Sequence, residues 1–113
     1  MKLKGFILAA VFLSLAAAVQ VRAQFDITGA VNGRVVSANG GAIRRATVTI
    51  TNLNTLESQT RVTNDFGYFR FANLPLLGLY LVTVESKRYT FTFSTHLVEF
   101  TSLEHNFTFT ADD

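Results

Sequence analysis

The sequence contains no cysteine and no tryptophan, and only one proline and one methionine among its 113 residues. Without cysteine there is no disulfide scaffold, no thiolate metal site and no thiol nucleophile. Without tryptophan the chain lacks the side chain on which sugar-binding platforms most depend. No serine sits in a Gly-x-Ser-x-Gly setting, and Gly40-Gly41 reads as a turn rather than a phosphate loop. Asp65, Glu85, Glu99 and Glu104 are scattered with no pairing suited to acid and base work. Neither a catalytic apparatus nor a bound cofactor or metal is expected.

The excess of ten basic over eight acidic residues is also misleading. Lys2, Lys4 and Arg22 fall within the first 23 residues, whereas all eight acids follow, so the remainder carries seven basic against eight acidic groups. Nucleic-acid binding is therefore not expected. Those first residues have a charged start, an apolar or small run from Gly5 through Val19, and Val21-Arg22-Ala23 at the exit. This is the pattern of a secretory signal peptide. The run is shorter than the roughly 20 residues of a spanning helix. The expected organisation is a leader over 1–23 and one domain over 24–113, exported to the periplasm, cell surface or medium. Membrane contact is expected only if the leader stays attached.

A domain without disulfides must hold together by apolar packing, and nine phenylalanines and three tyrosines follow the leader. Burying each is worth about 1.5–3 kcal/mol. Their spacing has a period of two: Thr47-Val48-Thr49-Ile50-Thr51, Phe69-Arg70-Phe71, Tyr89-Thr90-Phe91-Thr92-Phe93 and Phe107-Thr108-Phe109-Thr110 all alternate. Such alternation puts the apolar set on one sheet face. Turn signals separate the runs at Ala38 to Gly41, Asn52 to Asn54, Asn64 to Gly67, and Asn73 to Pro75 followed by Gly78. The spacing predicts seven strands, near 27–37, 46–53, 57–63, 67–72, 79–86, 89–100 and 103–110. The expected fold is all-β, a seven-stranded antiparallel Greek-key β-sandwich. In the sixth stretch the apolar parity changes from odd (Tyr89, Phe91, Phe93) to even (Val98, Phe100), so a bulge or break is expected near 94–97.

The segments Gly33-Arg34-Val35, Gly40 through Val48, Thr63 through Phe71, and Leu74-Pro75 with Gly78 and Tyr80 resemble the carboxypeptidase regulatory-like domain. That resemblance implies a prealbumin-like (transthyretin-like) sandwich over about 27–93. It places Gly33, Ala46, Thr63, Asp65, Gly67, Phe69, Phe71, Pro75, Gly78 and Tyr80 in the fold motif. The family often has proline where Ala42 stands and glycine where Arg45 stands, and one residue fewer between Pro75 and Tyr80. Its members usually accompany another domain as structural or binding modules of bacterial proteins. No companion follows Asp113, so a module outside its usual context is expected. A hydrolase of purine breakdown shares the fold but needs several His and Arg residues and a Tyr-Arg-Gly-Ser ending, which this chain lacks.

His96-Leu97-Val98-Glu99 has the His-x-x-Glu spacing of zinc carboxypeptidases. Residues three apart on an unbroken strand diverge, and the third ligand would have to be His105, so no metal site is expected. His105 shares parity with Phe107 and Phe109, which makes it a partly buried neutral imidazole near a strand end. The sequon at Asn106-Phe107-Thr108 falls inside a predicted strand and is discounted. Arg44-Arg45 and Lys87-Arg88 are the two basic pairs; solubilising charge is the plain reading and an anion-contact surface the functional one.

The expected function is a non-catalytic structural or protein-interaction module with edge strands open to β-augmentation, its partner unidentified. The alternative is a carbohydrate-binding module of the starch-binding-like type, with Tyr68, Arg44 and Arg45 as candidate ligand contacts. An exposed row among Phe66, Tyr68, Tyr80 and Phe100 would favour it.

Overall fold

Residues 27–113 are described by the computed structural model, and the expected leader over 1–23 lies outside them. The seven strands are β1 (Thr28–Val36), β2 (Thr47–Asn52), β3 (Ser58–Val62), β4 (Tyr68–Pro75), β5 (Leu79–Glu85), β6 (Thr95–Glu99) and β7 (Glu104–Thr110). They form a three-stranded sheet in the order β4-β1-β7 and a four-stranded sheet in the order β3-β2-β5-β6. The alternating residues of β1, β2, β4, β5 and β7 meet between the sheets as the sequence predicts, whereas the expected 89–93 run forms no strand and its Phe93 is exposed. Val31, Val35, Val48, Phe71, Val82 and Val98 have no exposed surface, and Ile50 and Tyr80 almost none. The Tyr80 hydroxyl donates to the Pro75 carbonyl at 2.6 Å, which satisfies the one polar atom this ring carries into the core.

Aromatic packing is densest over the β1 glycine. Phe69, Phe71, Phe107 and Phe109 pack with ring centroids 5.1–6.3 Å apart. A Cβ on Gly33 would come within 2.2 Å of the Phe69 ring and 2.8 Å of the Phe107 carbonyl, so only glycine lets these rings cross the middle strand.

Two features depart from the expected antiparallel pattern of seven runs, and the break expected in the sixth run is present. Four of the five strand pairs are antiparallel, but β1 and β7 run parallel from Ala30↔Glu104 to Val36↔Thr110. Strand β4 continues past residue 72 to Pro75. Asn73 takes a positive φ of 57° as expected of a turn residue, yet the turn is a bulge: two β4 residues oppose Ala30 where the register shifts between Gly29 and Val31. Pro75 fits because β4 is an edge strand. The parity change in the sixth run is a break, and the strand starts only at Thr95. The segment before it is tied down by the C-terminus instead. Asp112 accepts from the Thr92 amide and hydroxyl, both at 2.9 Å, and donates its own amide to the Thr90 carbonyl at 2.8 Å.

Candidate functional site

The strands alternate in direction along the chain, so the β1–β2, β3–β4 and β5–β6 loops all lie at one pole. The β3–β4 turn is built by Asn64, whose side-chain oxygen accepts the amides of Phe66 and Tyr68 at 3.0 Å each. Gly67 follows at φ 80°, and a Cβ there would lie 2.5 Å from the Val35 carbonyl. Asn64 rather than Asp65 therefore carries the turn; Asp65 is exposed and faces the neighbouring loops.

Thr63 fixes the β1–β2 loop against this turn. Its buried hydroxyl donates to the Ile43 carbonyl at 2.8 Å and accepts the Ala46 amide at 2.9 Å. Its main chain pairs with Arg45 and Ala46. The chain is thereby held on both sides of Arg45, which adopts φ 59°. A β-carbon in this left-handed region costs roughly 1–2 kcal/mol. Arg45→Gly is accordingly expected to stabilise the domain by about 0.5–1 kcal/mol after the added freedom of the unfolded chain is allowed for, measurable by thermal or denaturant melting.

The consequence at this pole is a cleft of about 690 Å³ lined by residues 42–45, Thr47, Asp65 and residues 85–89. Both basic pairs contribute to its lining, Arg44 and Arg45 from the β1–β2 loop and Lys87 and Arg88 from the β5–β6 loop, with Asp65 and Glu85 as the acidic members. None of the four cations is ion-paired among the described residues, where the one ion pair joins Arg70 to Glu104 at 3.3 Å. Tyr68, the third candidate contact, lies apart. Its half-exposed ring lies under the Arg34 guanidinium at 5.3 Å, and Arg34 also donates to the Phe66 carbonyl at 3.0 Å. Of the four aromatics proposed as a sugar row, Phe66 and Tyr68 are exposed, Phe100 is half-buried and Tyr80 is in the core.

The two histidines meet across the seam between the sheets. His96 on β6 and His105 on β7 bring their Nε2 atoms to 3.2 Å, so one ring donates to the other according to tautomer. His96 also stacks on Phe107 at 3.9 Å. The register of β6 is unbroken from Thr95 to Glu99, so Glu99 points away from His96 as the strand geometry requires. Among the described residues no three His, Cys, Asp or Glu side chains gather as metal ligands.

Burial, and secondarily the neighbouring His105, hold the His96 pKa below its ordinary value. A histidine whose folded pKa is depressed contributes its full stability above the unfolded pKa of about 6.5 and loses it as pH falls below that value. The melting temperature is expected to drop between pH 7.5 and pH 5. His96→Gln, which has no titrating group at that position, should flatten the drop.

A family model of the carboxypeptidase regulatory-like domain matches residues 30–110. The chain belongs to that family. Its structural likenesses extend to longer proteins. The major pilin SpaD of Corynebacterium diphtheriae superposes with a TM-score of 0.63 at 17% identity, over 77% of this chain and 30% of the pilin. A streptococcal ancillary pilin gives 0.63 at 16% identity, over 77% and 33%. This regulatory-like chain thus spans about a third of the pilins it resembles. The 5-hydroxyisourate hydrolase of Klebsiella pneumoniae gives 0.55 at 19% identity, over 76% of this chain and 86% of the enzyme. No curated protein sequence matches closely enough to count as a relative. At these identities the likenesses define a shared β-sandwich fold.

Proposed function

We propose that this regulatory-like domain is an exported, non-catalytic structural or protein-interaction module that joins a protein partner by adding a strand along β7. The observation that carries this reading is the state of that strand. β7 runs for seven residues without proline or bulge and pairs with β1 on one side only among the described residues. The Leu103 carbonyl accepts from Ala30 and the Ala111 amide donates to Val36. Alternation then directs the main chain of Glu104, Asn106, Thr108 and Thr110 to the open side. A long, flat edge of this kind is a template for strand addition. The other edge of the same sheet is blunted by the Asn73 bulge and Pro75.

The likeness to pilin domains supports a structural role, and the leader pattern supports export. The hydrolase likeness means that this fold also accommodates a catalyst, so the non-catalytic reading rests on residues rather than fold. The two histidines here are engaged with each other and with Phe107.

A photo-crosslinking residue at Asn106 should yield one discrete protein adduct in the producing cell. Thr108→Pro should abolish it, because it blocks the open edge but leaves the ladder to β1 intact. An adduct insensitive to Thr108→Pro, or none at all, would contradict strand addition. The carbohydrate-binding reading is favoured by the exposed Phe66 and Tyr68. It also draws on the fold likeness to a putative carbohydrate binding protein of Bacteroides uniformis, with a TM-score of 0.52 at 13% identity over 75% of this chain and 41% of that one. Glycan-array binding lost on Tyr68→Ala would support it, and an array with no binding would remove it.

A further inference from the structure

The loop cleft holds a combination that the fold alone does not require. Four cations from two loops far apart in sequence converge on one concavity, and no carboxylate within 4.0 Å pairs with any of them among the described residues. Two carboxylates, Asp65 and Glu85, share the lining, so the cleft keeps a formal excess of two positive charges. Thr47 and Ser86 add hydroxyls to the lining, and Tyr89 a half-buried ring.

Arg45 stands at a strained position. Its backbone is left-handed, a conformation glycine adopts freely, and Thr63 clamps the chain on either side so that the strain cannot relax. Arginine at this position adds a fourth cation to the cleft lining where glycine would fit the backbone with less strain. We propose that the cleft between the β1–β2 and β5–β6 loops is a binding site for a compact polyanion carrying two or more phosphate or sulfate groups. Arg44 and Arg45 grip it from one side, and Lys87 and Arg88 from the other. The volume of about 690 Å³ suits a small ligand or the terminal group of a larger one, and the concave shape favours it over a flat bilayer surface. Guanidinium pairs bind phosphate and sulfate oxygens through two parallel hydrogen bonds each. This site is at the loop pole and does not depend on the open edge of β7.

Calorimetric titration of the purified protein with tripolyphosphate and with sucrose octasulfate, at low and high salt, tests the site and separates free phosphate from a sulfated sugar as its source. At least one should bind with 1:1 stoichiometry, more weakly as salt rises. Arg45→Gly should weaken that binding about tenfold, as should Lys87→Ala with Arg88→Ala. Because Arg45→Gly is expected to raise the melting temperature, its loss of binding cannot be assigned to unfolding. Absence of binding to both probes would overturn the proposal, as would binding unchanged in the variants. So would capture only by phosphatidylglycerol vesicles, which would make the pole a membrane-contact surface instead.

Discussion

Replacing Phe71 with alanine is expected to destabilise this domain by about 3–5 kcal/mol, the range for truncating a buried phenylalanine. Phe71 has no exposed surface, its ring lies 6.0 Å from that of Phe69, and the Arg61 guanidinium covers it at 5.5 Å from the edge strand β3. With no disulfide to limit the unfolded state, the loss falls on a total stability that for a domain of this size is about 5–15 kcal/mol. A drop of about 15–30 °C in melting temperature follows. Phe71→Leu should cost far less, since it keeps most of the volume. A Phe71→Ala protein melting within a few degrees of the parent would mean that the core is not where the packing places it.

Thr63→Val is the second large effect, and it has a different cause. The substitution keeps shape and removes a hydroxyl, leaving the Ile43 carbonyl and the Ala46 amide buried without partners. Two lost hydrogen bonds with stranded groups are expected to cost about 2–4 kcal/mol. Thr63→Ser retains the hydroxyl and should lose only about 1 kcal/mol for the missing methyl. Denaturant melts of both variants check the ordering. Equal losses would show that the methyl, not the hydroxyl, matters. The result also bears on the cleft, because Thr63 sets the loop that presents Arg44 and Arg45.

Much of the fold was legible because alternation depends on burial alone. Thr47 to Thr51 and Phe69 to Phe71 read directly as half-buried strands, and the parity change after Phe93 marked the true start of β6. Turn chemistry was legible in kind and less so in place. Asn73 takes the positive φ that its type suggests, but in a bulge, because β4 still has β1 beside it. That β1 and β7 are neighbours could not be read, since strand order between distant segments leaves no local signature; their parallel direction follows once successive strands alternate.

The histidine pair was within reach. His96 and His105 each share the parity of buried neighbours on their strands, and only the sheet order was missing. The basic cleft was also within reach. In a chain whose strands alternate up and down, the loops after β1, β3 and β5 fall at the same pole, which places Arg44-Arg45, Asp65 and Lys87-Arg88 together. Exposure of Tyr68 follows from its parity opposite Phe69 and Phe71, whereas that of Phe66 was not legible. Phe66 lies within the Asn64 turn, and which way a turn presents its side chains depends on the loops packed around it.

The core is closed and the β7 edge of the three-stranded sheet is open, and amide hydrogen exchange resolved by residue tests that most directly. In the purified protein the amides of His105, Phe107 and Phe109, bonded to β1, should exchange slowly, and those of Asn106, Thr108 and Thr110 quickly. Comparable protection along the whole of β7 would mean that the edge is already covered, and would contradict a strand held open for a partner.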